Sequence, residues 1–350
     1  MNTNPGNTEF LLREAKLGGC VWLVLAVSSY FPGSPLGIVE VLFLLAPWVL
    51  VPLGMSLIIG EARRASPAGW YWILPVLAAL TTISFFVARG VLSACLAGSW
   101  FLVCVVAAGD GVRRFFFSGK KSFQQFCFAV GEGYLAVAGT WLVASRAGLH
   151  PLGFFEPIVL LTAIHFHFAG YASAILAGLT CAKLRGARGE RMARLAALAV
   201  TCGPGLLGLL FLLGPKWKLA GALIVAVGQF GLTAGMTQVA LKEARGIARG
   251  LLLVAAGSVA AGMLLAAVWA VGEYPLQPFV DIREMAEFHG VLNAFGFAIC
   301  GLFGWAQLAR ANGVEVTSNP RCDSVLTAGS GISGRAFSNL SFDSQTRKDL

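Results

Sequence analysis

The sequence carries little charge for its length. Only 12% of its 350 residues are Asp, Glu, Lys or Arg, whereas a soluble globular protein has about 25%, and 57% are hydrophobic. This balance excludes an ordinary soluble domain and indicates an integral membrane protein. The formal charge of +9 would suggest nucleic acid in a soluble protein. Here most positive charges lie in short connections between apolar segments, so we expect the lipid bilayer, and no nucleic acid, as the partner.

Paired cysteines and common catalytic motifs are also missing. The eight cysteines form no CxxC, and all but Cys322 lie within or at the edge of apolar runs. A disulfide framework or a zinc-thiolate site is therefore not expected. The sequence contains no HExxH and no recognisable nucleophile motif. An enzyme that uses histidine as a general base consequently ranks below a transport or binding function, and whether the protein is an enzyme stays open.

Long apolar runs are what the sequence has in abundance. A membrane-spanning helix needs about 20 apolar residues, and ten segments come near that length. We predict an all-α, polytopic transmembrane helix bundle of about ten helices. The segments are Leu17–Phe31, Ile38–Gly60, Trp70–Ala88, Val91–Ala108, Phe123–Ser145, Pro157–Cys181, Leu195–Gly214, Leu219–Ala240, Leu251–Val271 and Glu287–Leu308.

The placement of lysine and arginine gives an orientation. The connections alternate between rich and poor in these residues, as the positive-inside rule requires, which places both termini in the cytoplasm. We therefore expect a cytoplasmic segment at 1–16, a transmembrane helical domain at 17–310 and a disordered cytoplasmic tail at 311–350, where serine, glycine and balanced charge replace the apolar runs. Five of the 26 basic residues fall on the poor side: Arg89, Arg146, Lys216, Lys218 and Arg283.

Few polar side chains lie inside the apolar segments, and such residues are functional candidates because burying them in a membrane is costly. His165 and His167 lie in the sixth segment, and Glu132 lies deep in the fifth. His289 and Asn293, four residues apart, share one face of the tenth segment. We expect these five residues to form an outward-facing polar site for a substrate or a proton.

The two neighbouring histidines point in different directions on a regular helix. Residues two apart are separated by about 200°, so His165 and His167 cannot both bind one metal ion unless the helix is broken there. We expect one of them to face a polar cavity and the other to pack against another helix. A histidine inside a membrane also has a purely structural role when it hydrogen-bonds a backbone carbonyl and holds two helices together.

Two stretches resemble motifs of the YndJ family of bacterial membrane proteins: HFHFAGY at residues 165–171 and HGVLNAFGF at residues 289–297. The surrounding region, from about 155 to 310, fits the resemblance, whereas the first half shows no comparable anchor. The resemblance implies a multi-pass protein of the bacterial cytoplasmic membrane. It implies no particular reaction.

Several functions remain open at this point. The first is a transporter-like protein whose histidines couple a small-molecule or ion substrate to protons, since histidine titrates near neutrality. The alternative is a membrane oxidoreductase in which His165, His167 or His289 ligates haem or a transition metal. A structural or sensory role, with the tail as a partner site, is the third.

Overall fold

The computed structural model describes residues 5–61, 70–117, 121–274 and 282–317. Within these ranges the chain forms ten helices and no β-strand, in agreement with the predicted fold class. Residues 311–317 of the expected tail continue the last helix, and the rest of that tail lies outside the described residues. The helices are α1 (Pro5–Ser28), α2 (Ile38–Glu61), α3 (Tyr71–Ser84), α4 (Val91–Phe117), α5 (Phe123–Ala147), α6 (Ile158–Lys183), α7 (Glu190–Leu213), α8 (Pro215–Lys242), α9 (Gly246–Glu273) and α10 (residues 282–317).

Eight helices of this described part are long and apolar enough to cross a membrane, and α1 and α3 are not among them. The α-helical part of α3 has 11 residues, about 16 Å, which is shorter than the roughly 30 Å of a bilayer core. Helix α1 begins at Pro5 and not at Leu17 as the apolar pattern predicts. Its charged first half is helical because it buries Leu11, Leu12 and Ala15 against the bundle.

Helices α2 and α6 lie at the centre of the bundle. Every residue of α2 from Val41 to Ile59 is buried except Trp48. Helix α6 contacts α2, α5, α7, α8 and α10. A helix that is apolar on all sides is typically a buried one, and this pattern explains why α2 is enclosed by its neighbours.

Three helices change from α to π geometry near their middle. The π segments are Ala46–Leu50 in α2, Phe166–Ala172 in α6 and Leu292–Ile299 in α10. Each contacts the other two, so the three irregular turns meet at one level of the bundle. Pro47 contributes to the first of them, because proline cannot donate the hydrogen bond of a regular turn. Such π turns are frequent at functional sites.

A tyrosine is inserted into the backbone of α7 beside Pro204. The Tyr134 hydroxyl donates to the Thr201 carbonyl at 2.9 Å and accepts from the Gly205 N–H at 3.0 Å. These two backbone groups would bond each other in a regular helix, since they lie four residues apart. A side chain that enters the hydrogen-bond ladder in this way kinks a helix, and here it fixes α5 to α7.

Arg146, at the end of α5, is one of the five basic residues on the side of the membrane where few are expected, and its contacts explain why it is there. It is 5% exposed and lies against the Phe85 ring, with its guanidinium carbon 4.7 Å from the ring centroid. Its Nη2 donates to the carbonyls of Ser84 and Val87 at 2.9 and 3.1 Å, and Nε donates to the Ser93 hydroxyl at 3.0 Å. The last carbonyls of a helix lack partners within it, so Arg146 caps the end of α3.

We predict that Tyr134→Phe lowers the free energy of unfolding by about 1–3 kcal/mol, because it removes two hydrogen bonds to buried backbone groups. Reversible SDS unfolding of detergent-purified protein measures the change. The matched control is Tyr30→Phe, since Tyr30 is 89% exposed and its replacement should change stability by less than about 0.5 kcal/mol. Equal stability of the two variants would show that the Tyr134 hydroxyl does not hold α7.

We also predict that Arg146→Lys destabilises the protein by about 1–3 kcal/mol although the charge is kept. A lysine cannot reproduce the planar fork that reaches two carbonyls and a hydroxyl. The control is Arg89→Lys, because the Arg89 side chain is 43% exposed and its Nη2 lies 4.0 Å from Glu156. The same unfolding assay should find little change there, and a similar loss in both variants would rule out the capping role.

Candidate functional site

A cavity of about 260 Å³ lies between α2 and helices α6 to α10. Its wall is mostly aliphatic, aromatic and methionine side chains. Both His165 and His289 contribute to it, and each lies about 10 Å along its helix from the first residue. Gln229 is deeper, about 21 Å along α8 from Pro215. The distribution of basic residues predicts that the cavity occupies the outer half of the bundle.

Five polar side chains interrupt the apolar wall: His165 and Ser173 of α6, Gln229 of α8, and His289 and Asn293 of α10. None of the described residues that line the cavity has a permanently charged side chain. Ligand pockets commonly combine an apolar wall with a few polar groups that orient the ligand. The wall of the cavity therefore combines an apolar surface with a few polar groups and carries no permanent charge among the described residues.

The polar face of α10 is held against α9. The His289 Nδ1 lies 2.9 Å from the Gly262 carbonyl, and the Asn293 amide donates to the His289 carbonyl at 2.7 Å. A carbonyl only accepts, so Nδ1 carries the proton of a neutral imidazole and Nε2 carries the lone pair. Gly262 permits this approach, because a Cβ at that position would lie 2.5 Å from Nδ2 of Asn293.

Two polar atoms at the cavity have no partner within the described part of the chain. They are Nε2 of His165 and Oε1 of Gln229, both of which are buried. The other end of the Gln229 amide is occupied, since Nε2 donates to the Ser173 hydroxyl at 3.1 Å. A buried polar group without a partner costs about 1–3 kcal/mol. A ligand or a water that bonds these atoms would recover part of that free energy.

The π segments form part of the wall. Phe168 and Ala169 come from the π segment of α6, and Asn293, Ala294 and Phe297 come from that of α10. A π turn holds more residues than an α turn, so it changes which side chains face inward. The two π segments overlap the two stretches that carry the family resemblance, residues 165–171 and 289–297.

His167 lies away from the cavity, and both of its ring nitrogens have partners. Nδ1 is 2.8 Å from the Ala163 carbonyl, and Nε2 accepts a hydrogen bond from the Trp100 indole at 3.1 Å. The Phe43 ring packs edge-on at 5.6 Å between centroids. His167 is fully buried and joins α6 to α4 in the manner of a structural histidine.

Glu132 lies in another part of the bundle. It is 2% exposed and forms an ion pair with Arg114 of α4, and it is not among the residues that line the cavity. Of the five side chains chosen from the sequence, the structure thus brings together His165, His289 and Asn293, and it places His167 and Glu132 elsewhere.

Some cavity residues carry weak signals in the sequence. Gln229 is a lone polar residue in the middle of an apolar segment, which is typical of a binding residue and of interhelical hydrogen bonding alike. Here it lines the cavity and also bonds Ser173 of α6. Ser173, Met263 and Met285 have no feature that separates them from ordinary packing residues. Only the folded arrangement places them on one cavity.

The histidines do not form a complete metal-binding set. Within the described ranges, no three or more His, Cys, Asp or Glu side chains come together in a way that could hold a metal ion. His165 and His289 share the cavity, whereas His167 faces Trp100. A metal there would need ligands of another type, such as the thioethers of Met263 and Met285.

Comparison with known proteins places these features in a family. A family model described as "YndJ-like protein" matches residues 41–297, well over half of the 350 residues. The match contains both histidine stretches and extends into the first half of the chain, where the sequence shows no evident anchor. No solved structure matches the chain.

A relative in Bacillus subtilis (strain 168) bears the name "Uncharacterized membrane protein YndJ". The two sequences are 26% identical over 209 residues, which is 59% of this chain and 37% of the relative. The matched region thus spans little more than a third of that relative's length. Together with the eight candidate membrane spans, the family match shows that the chain is a multi-pass bacterial membrane protein that belongs to the YndJ-like family.

Proposed function

We propose that the protein binds a small uncharged solute in the cavity between α2 and α6–α10 and moves it across the membrane, as a transporter does. The observation that carries this proposal is the pair of unpartnered buried atoms, Nε2 of His165 and Oε1 of Gln229, at a mostly apolar cavity. Both atoms accept hydrogen bonds, provided that His165 is the Nδ1–H tautomer. A solute with hydrogen-bond donors fits such a wall.

The size of the cavity limits the solute. At roughly 30 Å³ for each water molecule, 260 Å³ corresponds to about eight or nine waters. This is slightly below the usual range of about 300–1,000 Å³ for ligand pockets. A compact solute with apolar surface and one or two donors fits this space, whereas a large cofactor does not.

Proton coupling follows from the two histidines. An imidazole that takes up a proton adds a full charge to a wall that has none, and a charge inside a membrane is costly. In the protonated ring both nitrogens carry a proton, so the nitrogen that accepted a hydrogen bond becomes a second donor. Binding of a donor solute and binding of a proton at His165 or His289 therefore oppose each other, and this opposition links uptake to pH.

A bound metal ion is the second candidate. His289 donates Nδ1–H to the Gly262 carbonyl at 2.9 Å, the type of contact that orients histidines in metal sites, and His165 shares its cavity. Metal analysis and a visible spectrum of the purified protein distinguish the candidates. Stoichiometric metal or a haem band that is lost in His289→Ala would favour the redox alternative over transport.

The four histidines provide an internal test of access to the cavity. We expect diethyl pyrocarbonate to modify the exposed His150 rapidly and His167 hardly at all, because His167 is fully buried and both nitrogens are bonded. His165 and His289 should react at intermediate rates as the cavity opens. Mass spectrometry measures each rate. Modification of His165 and His289 as slow as that of His167 would argue against an accessible site.

His165→Phe separates function from stability. Because Nε2 of His165 has no partner within the described residues, its loss should leave thermal stability unchanged or raise it. Solute affinity should fall about three- to tenfold, the equivalent of one hydrogen bond. A thermal-shift screen of uncharged solutes and uptake into proteoliposomes provide the measurements, and His150→Phe is the control. A large loss of stability with unchanged uptake would make His165 a structural residue.

A further inference from the structure

A second and much smaller cavity lies between α2, α3, α4 and α5. Its volume is about 10 Å³, close to the minimum that holds one water molecule. Helix α2 contributes only apolar side chains to its wall. The polar wall consists of Trp70 and Tyr71 at the start of α3, Asp110 and Arg114 of α4, and Glu132 of α5.

Three polar atoms at this cavity have no partner in the described part of the chain: Oε2 of Glu132, Oδ2 of Asp110 and Nε1 of Trp70. Glu132 is 2% exposed, so its free oxygen cannot be solvated from outside. Oε2 lies directly over α4, since a Cβ added at Gly111 would be 2.7 Å from it. One water matches this set, because it can donate to a carboxylate oxygen and accept from the indole and from a protonated carboxyl group.

The charges around the cavity do not balance. Arg114 pairs with Oε1 of Glu132, and its side chain is 19% exposed. Arg113 contacts Oδ1 of Asp110 at 3.2 Å, but the Arg113 side chain is 44% exposed, whereas that of Asp110 is 16% exposed. Water screens the exposed guanidinium. Within the described part of the chain, the enclosed groups therefore contain two carboxylates against one cation.

Among the described residues, the remaining helices supply no further cation to this cavity. Helix α3 contributes Tyr71, and α6 contributes Tyr171, which interacts electrostatically with Glu132 and donates its hydroxyl to the Val51 carbonyl at 3.1 Å. Both tyrosines are neutral near pH 7. An isolated negative charge is costly inside a membrane, so a proton taken up by the site would compensate the excess charge of the described groups.

We propose that this cavity is a proton-binding site, in which one water bridges Glu132 and Asp110 and Glu132 holds a single proton on its unpartnered carboxylate oxygen. The reaction is protonation alone: a carboxylate oxygen accepts H⁺ and becomes a carboxylic acid, and no other bond changes. A metal cation fits less well because the Trp70 indole presents a donor. The site lies apart from the cavity of His165 and does not depend on solute transport.

The position of the pair suggests from which side the proton arrives. Asp110 lies about 10 Å from the end of α4 at Phe117, and Glu132 about 14 Å from the start of α5 at Phe123. The distribution of basic residues places these helix ends on the cytoplasmic side. The proton site and the histidine cavity then occupy opposite halves of the membrane.

Infrared difference spectroscopy of the full-length protein in lipid tests the proposal. Near neutral pH we expect the carbonyl stretch of one protonated carboxylic acid, shifted in D₂O and lost at high pH. Glu132→Gln should remove the band. Asp110→Asn should remove it as well, because the remaining Glu132–Arg114 pair is balanced and needs no proton. This second variant retains the ion pair and so addresses the case in which Glu132→Gln does not fold.

The exposed Glu9 supplies the control, and Glu9→Gln should leave the band unchanged. Absence of the band in the unmodified protein would overturn the proposal, because both carboxylates would then be ionised. Persistence of the band in Asp110→Asn would overturn it too, because the proton would not arise from the excess charge of the pair.

Discussion

The structure depends on one constraint, which is that polar groups inside a membrane must find partners within the protein. Water is absent there, and each unpaired backbone group costs several kcal/mol. The irregular positions of this bundle satisfy the constraint with side chains. Tyr134 enters the backbone of α7 beside Pro204, and Arg146 bonds the carbonyls at the end of α3. His167 hydrogen-bonds through both ring nitrogens, to Trp100 of α4 and to the Ala163 carbonyl of its own helix α6.

The same constraint identifies the places where partners are missing. The unpartnered atoms of His165 and Gln229 lie at the larger cavity, and those of Glu132 and Asp110 lie at the smaller one. Both cavities therefore retain unused hydrogen-bonding capacity. Two other buried atoms of the described residues, Oγ1 of Thr201 and Nε1 of Trp305, also lack a partner, but they lie at neither cavity. We regard the unused capacity at the cavities as the physical link between the fold and the two proposals, since a ligand or a proton occupies a site best where the protein leaves a group unsatisfied.

The sequence is a good guide to the fold and a partial guide to the site. Apolar runs and basic connections predict the helices, because lipid allows few other solutions. The early start of α1 escapes this logic, since its charged first half is held by the burial of Leu11, Leu12 and Ala15, and α3 is shorter than its apolar run predicts. For the site, the spacing of His165 and His167 predicts that they face different neighbours, but not which one faces the cavity. That choice depends on Trp100, a residue more than sixty positions away. The residue pattern of α6 alone therefore cannot predict it.

Glu132 is a residue that the sequence marks as functional but assigns to the wrong cavity. Its place deep in an apolar segment makes it a functional candidate, and it joins a site other than the one expected from the sequence. The partner Arg114 lies near the basic end of α4, where charge is readily attributed to topology. Distances between helices, and not composition, decide which of the few polar residues act together.

The π segments have a further consequence for how this chain tolerates a change in its length. In a regular α-helix, the deletion of one residue rotates everything beyond it by about 100° and moves a polar face toward lipid. A π turn already contains a surplus residue. Deletion of a single residue within Phe166–Ala172 or Leu292–Ile299 therefore restores α geometry and leaves the flanking helix in phase. In genetic terms, α2, α6 and α10 each have one stretch where a codon can be lost without rotating the rest of the helix relative to its neighbours.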